Sequence, residues 1–290
     1  MKTRMWLLAA ITTALVACGH NGGSGGGDGG MGDDGGGGGG DGGDGGCTGL
    51  CTDAPPFGGT CTPGGPQCSN CVDDDGDTKI DGDDIECSGS LDNDENSFAT
   101  GIPGDNKDAV NQDCFFDGNS GAGNDGCNVH VCCFLGAPDR ASCPIGASQY
   151  NVSECPPPLG TTPLPQKCID TCGKLTPPGC DCFGCCTTCI PGTNPPQCYD
   201  ILITQATSPN CNDTNIADPN ACKRCTKITS CGNTTCGGTT CILCPGQDPS
   251  TLPSSCMGQQ CPTGTTVCGA GDTCPAQTFC SNGCCIGVIQ

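Results

Sequence analysis

The sequence predicts small disulfide-rich modules, mostly short β-strands and irregular loops with little helix, behind a disordered N-terminal tether rich in glycine and aspartate. Three observations carry that expectation. The 290 residues include 35 cysteines, a density that marks a disulfide scaffold in exported proteins. Fifty glycines and 24 prolines favour turns over periodic structure. Seven phenylalanines, two tyrosines and one tryptophan cannot assemble the apolar core that a chain of this length would otherwise need, so covalent cross-links must hold the fold.

The N-terminus points to an oxidising destination. MKTRMWLLAAITTALVACGH opens with Lys2 and Arg4 and continues as an apolar run from Met5 to Ala17. That run falls short of the about 20 residues a bilayer span needs and reads as an export signal. Leu15, Val16, Ala17 and Cys18 resemble the lipobox of bacterial lipoproteins. The resemblance implies a signal peptide over residues 1–17, cleavage before Cys18, and lipidation of that thiol, palmitate included. Gly19 after the lipidated cysteine implies release to the outer membrane. The protein is then expected at the bacterial outer membrane or cell surface, held to the membrane through its lipid anchor. Setting Cys18 aside leaves an even number of cysteines, which can all pair, although spacing does not dictate the pairing.

Charge sets a second bound. The formal net charge is −21, and loss of the leader removes Lys2 and Arg4 but no acid. Such a surface excludes nucleic acid and anionic lipid as electrostatic partners, both of which need a basic face, and it favours cations.

Residues 18–46 form the tether, almost all glycine with Asp28, Asp33, Asp34, Asp41 and Asp44. A coil of this composition reaches about 30 Å. A glycine-aspartate calcium roll does not fit, because each of its nonapeptides needs an apolar residue and Met31 is the only one here. Residues 47–70 are a cysteine- and proline-rich lead-in. Residues 71–155 form an acidic module, and residues 156–290 a cysteine-dense region with CDCFGCCTTC at 180–189. Tyr199 to Thr204, YDILIT, is the clearest strand, because it is rich in β-branched and apolar residues. No window of a dozen residues keeps an apolar helical stripe.

The chemistry concentrates in CVDDDGDTKIDGDDIEC, from Cys71 to Cys87. Counted from Asp73, acids fall at the spacing of an EF-hand loop: Asp73, Asp75 and Asp77 as side-chain ligands, Lys79 through its carbonyl, Asp81 in the position often served through water, and Asp84 closing the loop. Calcium needs about six to eight oxygens at about 2.3–2.6 Å, and alternate residues of a tight turn can aim several carboxylates at one centre. The Lys79 ammonium is expected to stay in water. The loop resembles the calcium loops of dockerin modules and, in its run of acids, thrombospondin type 3 repeats. It departs from them in two places. Thr78 stands where glycine usually relieves a positive φ, and Asp84 replaces a longer glutamate. Both push affinity toward the weak extracellular range of about 10⁻⁴ to 10⁻³ M. Two further groups are candidates for a second cation: Asp92 with Asp94 in the run Asp92-Asn93-Asp94-Glu95, and Asp117 with Asn119 and Asp125.

Catalytic patterns are incomplete, and no catalytic residue is assigned. Gly118-Asn119-Ser120-Gly121 resembles the nucleophile loop of trypsin-like proteases. That family's histidine precedes the serine, whereas here only His20 of the tether does, and His130 follows it. Cys182-Phe183-Gly184-Cys185 has thioredoxin spacing without a βαβ pattern. Structural disulfides are expected there, and in place of cysteine-only zinc sites.

The order of lipobox, glycine-aspartate tether, DDDGD loop, Asp-Asn-Asp-Glu segment and CDCFGCC resembles cysteine-rich lipoproteins of the myxobacterial type, a resemblance that supplies no activity. The expected function is that of a non-enzymatic, lipid-anchored extracytoplasmic protein that binds calcium for structure, adhesion or attachment to a protein or glycan ligand. An alternative is a disulfide-rich binding module such as a protease inhibitor, carried by the cysteine-dense half. A third is a calcium-dependent hydrolase built on the clustered aspartates.

Overall fold

The computed structural model describes residues 64–100, 109–117, 125–256, 261–268, 274–275, 278–281 and 283–287. The expectations placed on Cys18, on the tether and on the lead-in through residue 63 lie outside the described residues, as do those on Asn119 and Ser120.

Fifteen disulfides join described cysteines. Cys71 is disulfide-bonded as well, so every described cysteine is oxidised. Around this network the described residues form short elements only. Two α-helices are described, α1 over Val131–Phe134 and α2 over Gln166–Cys172. Three antiparallel two-stranded sheets pair β1 (Asn111–Gln112) with β2 (Val129–His130), β3 (Cys185–Cys189) with β4 (Cys198–Leu202), and β5 (Thr278–Ser281) with β6 (Cys284–Gly287). The protein is therefore a disulfide-rich assembly of short strands and loops. Among the described residues no helix is long and apolar enough to cross a membrane.

The cross-links explain how such short elements persist. A seven-residue helix is far below the length at which helices hold in water. In α2, Cys168 and Cys172 lie one turn apart on the buried face and bond to Cys127 and Cys114. In α1, the adjacent Cys132 and Cys133 tie to Cys143 and Cys155, and the His130 ring caps the helix by accepting the Cys132 N–H at 3.2 Å. Between β3 and β4 the register sets Cys189 directly opposite Cys198, and a disulfide joins the pair.

The expected strand at Tyr199–Thr204 is displaced. The ladder runs from Cys198 to Leu202, and the next residue, Ile203, turns its N–H to the Gly184 carbonyl at 2.9 Å. Its partner strand, CCTTC, carries no β-branched apolar residue and is buried because its cysteines are. Cys182 and Cys185 do not pair with each other but with Cys231 and Cys225.

Apolar packing fills in around the sulfurs. Phe134 and Phe183 stack at 5.0 Å in one cluster with Tyr150, Leu202 and Ile228, and the Tyr150 hydroxyl donates to the Ala137 carbonyl at 2.5 Å. A second cluster gathers Phe98, Phe115, Ile201, Ile203 and Ile216. Both clusters draw on residues before and after the expected boundary between residues 155 and 156. Two disulfides, Cys114–Cys172 and Cys127–Cys168, also cross it.

Candidate metal centre

The acidic loop hangs from a buried disulfide between Cys68 and Cys87, with Cys71 bonded separately at its base. Within it Asp73, Asp75 and Asp77 each bring a carboxylate oxygen to within 4.8 Å of the other two. Backbone donors hold them there. Asp73 accepts the N–H of Gly76 at 2.6 Å on one oxygen and that of Thr78 at 3.0 Å on the other. Asp75 accepts from Asp77 at 3.0 Å, and Asp77 from Lys79 at 2.7 Å. The tightness of the turn shows in two left-handed residues, Gly76 at φ +86° and Thr78 at φ +80°. Thr78 thus takes the conformation that calcium loops usually give to glycine. Burial raises the Asp75 carboxyl above its ordinary range, the Asp77 N–H opposes it, and the charges of Asp77 and Asp73 raise it further.

The remaining sequence-assigned ligands are placed differently. Asp81 does not join the triad. It is fully buried, and its carboxylate turns back to accept the N–H of Asn70 at 3.1 Å and that of Cys71 at 3.0 Å. Desolvation lifts its carboxyl to about 6 against those two donors. Asp84 lies outside the triad too, at 3 % exposure, with one oxygen on the Glu86 N–H at 2.9 Å. Lys79 corrects an expectation, since its ammonium is buried rather than in water. It lies 3.2 Å from Asp77 and 3.8 Å from Asp213, because three acids in the neighbourhood, Asp77, Asp84 and Asp213, outweigh the cost of desolvating one ammonium.

The two candidate groups for a second cation serve as turn caps. Asp92 accepts the Ser88 N–H and hydroxyl on one oxygen and the Asp94 N–H on the other. Asp94 takes the Asn96 N–H and the Ser97 hydroxyl. Asp125 accepts from Cys127 at 2.8 Å and from Cys114 at 3.2 Å. It lies beside the sulfurs of Cys114 and Cys172, but those two are bonded to each other and offer no thiolate. Asp117 is buried. Among the described residues these acids do not gather with one another as the triad does.

Three acids that sequence reasoning did not assign hold the loop. Glu95 is fully buried and spans it, accepting the N–H of Asp74 at 2.7 Å and of Asp81 at 2.8 Å. Desolvation pushes its carboxyl to about 7. Glu86 is buried and accepts the N–H of Asp213, 127 residues away, at 2.5 Å. The only sequence signal for either glutamate is its presence in an acidic run, which does not separate a clamp from a solvated side chain. Asp213 stands alone in sequence and gives no signal.

Comparison with protein-family models, with curated proteins and with solved structures finds no match for this chain. Its class rests on its own chemistry. Complete oxidation of the described cysteines belongs to a disulfide-rich module of the extracellular kind.

Proposed function

We propose that this is a lipid-anchored extracytoplasmic protein whose acidic loop binds calcium, and that it serves surface structure, adhesion or ligand binding rather than catalysis. The observation that carries the reading is the convergence of Asp73, Asp75 and Asp77 on one point at the crest of a turn with positive φ at Thr78. Three carboxylates so close repel one another, at about 1 kcal/mol per pair in water and several times that near a protein surface. A hard divalent cation turns that repulsion into coordination. With Asp81 committed to backbone donors, the loop offers three carboxylates and the Lys79 carbonyl, and water completes the shell. That donor set suits a weak site of the extracellular range. The anchor rests on the lipobox ending at Cys18.

Thermal unfolding of the mature, oxidised protein at millimolar calcium or magnesium tests the reading. Calcium should raise the midpoint and equal magnesium should raise it less, because the larger ion tolerates an irregular shell. A midpoint indifferent to calcium would reduce the loop to a solvated acidic turn.

A further inference from the structure

The acidic loop already holds one cation of its own. The Lys79 ammonium is shielded from solvent and lies 3.2 Å from Asp77 Oδ2 and 3.8 Å from Asp213 Oδ2. Asp77 therefore meets the same residue twice, because its Oδ1 accepts the Lys79 N–H at 2.7 Å while its Oδ2 faces the ammonium. The carboxylates of Asp73 and Asp75 are met by backbone N–H groups, which leave lone pairs for an ion. Asp77 is the triad member that faces a full positive charge. Asp213, the second partner of that charge, belongs to the Cys211–Cys222 disulfide loop, and its own N–H is fixed on Glu86 at 2.5 Å. Its backbone is thus held beside the acidic loop by a contact independent of Lys79.

A divalent ion entering the triad needs a lone pair of Asp77 and brings its charge close to the ammonium. Like charges at that range repel, most strongly where solvent is excluded. The lysine stem is flexible, and Asp213 stands little further off than Asp77. We propose that Lys79 is a built-in competitor for the calcium site: its ammonium occupies Asp77 until an incoming ion drives it over to Asp213. This device rests on the calcium reading of the loop and regulates that same site. Competition lowers calcium affinity, and so adds to the weakening expected from Thr78 and Asp84. Handover has a second effect, because it tightens the ion pair between the acidic loop and the Cys211–Cys222 loop. Loading of the triad is then felt in the cysteine-dense half, through a side chain that is not itself a ligand. The Lys79 carbonyl stays free to face the ion while the ammonium leaves.

Calcium titration calorimetry on the mature, oxidised full-length protein tests this. Lys79→Met keeps a long stem and the backbone carbonyl but removes the charge, and it should bind calcium about tenfold more tightly. Lys79→Arg keeps the charge and should stay near the unaltered protein. Asp213→Asn removes the ammonium's second partner and should weaken binding, an effect that should disappear in the Lys79→Met background. If the unaltered protein binds calcium and Lys79→Met binds it no more tightly, the competition is overturned and the loop reading stands. Binding by neither protein overturns both. Binding by Lys79→Met alone supports both, with the ammonium as an outright block. A loss in Asp213→Asn that persists in the Lys79→Met background would make Asp213 a direct ligand and overturn the handover. A crystal of the unaltered protein grown with calcium needs no variant: Lys79 Nζ nearer to Asp213 than to Asp77 supports the proposal, and an ion bound with the ammonium still on Asp77 overturns it.

Discussion

Glu95 accepts the backbone N–H of Asp81 at 2.8 Å from a fully buried position, fourteen residues further along the chain. With its other oxygen on the Asp74 N–H, this one side chain ties the front and back of the acidic loop together. Glu95→Ala removes both bonds and leaves two loop N–H groups without their acceptor. Hydrogen bonds to a charged group contribute about 1.5–3 kcal/mol each, so calcium-free denaturation should show a loss of at least about 2 kcal/mol. Glu95→Gln, which keeps one acceptor, should recover part of it. Equal stability of all three proteins would mean the clamp is only a crowded contact.

Substitutions within the loop should separate ligands from caps. Asp75→Ala and Asp77→Ala should remove most of the calcium-dependent rise in melting midpoint, because each deletes a member of the triad. Asp81→Ala should instead cost about the same with and without calcium, because Asp81 serves the N–H groups of Asn70 and Cys71. The exposed Asp83 should be nearly silent. A calcium response that survives Asp75→Ala, or that Asp81→Ala abolishes selectively, would reverse these assignments.

Backbone strain in the loop gives a paired prediction. Thr78 sits at φ +80° and Gly76 at φ +86°, and a Cβ on Gly76 would meet no atom within 4 Å. Thr78→Gly should therefore stabilise the protein by up to about 1 kcal/mol, and Gly76→Ala should destabilise it by a similar amount, through conformation alone. Chemical denaturation with the disulfides intact checks both. Opposite signs would show that the hydroxyl or methyl of Thr78 matters more than its φ.

Asp181 should give the protein a pH signature. Its carboxylate is fully buried and accepts the N–H groups of Phe183, Cys185 and Ile228, yet desolvation outweighs those donors and lifts it to about 6 from an ordinary 3.8. A folded value above the unfolded one means that the native state holds its proton longer. The contribution is therefore complete below about pH 4 and is lost as pH rises through about 6, by roughly 2–3 kcal/mol. Asp181→Asn should lower stability overall but flatten this slope. The difference between the two denaturation curves from pH 3.5 to 7 reads it directly, and parallel curves would rule it out.

Anchoring and oxidation should be visible by mass. A labelled fatty acid should tag the protein, and Cys18→Ala should abolish the tag and leave the leader uncut, because firm membrane attachment needs more than one acyl chain. Full reduction of the mature protein should add one hydrogen for every cysteine except Cys18 and should unfold it, since each closed loop contributes about 2–4 kcal/mol. Release of unaltered protein without lipid, or several reactive thiols before reduction, would contradict this.

Composition alone determined that this chain would be held by sulfur: with 35 cysteines against ten aromatic side chains, apolar packing is too small to hold the fold without cross-links. Local spacing determined the triad, because Asp73, Asp75 and Asp77 are two residues apart, and a single tight turn brings such neighbours together without help from distant chain. What it could not determine begins at Asp81 and Asp84, whose carboxylates are claimed by groups outside the turn. The strand at 198–202 was half legible from YDILIT, but its partner CCTTC was not, since cysteines carry no period and are buried by whichever cysteine they bond. The clamp of Glu95 on Asp74 and Asp81, the bond from Asp213 to Glu86, and the disulfides joining residues 114 and 127 to α2 all close over separations of 14 to 127 residues. Only tertiary structure decides such contacts, because an acid or a cysteine is chemically the same at every position until the fold gives it a neighbour.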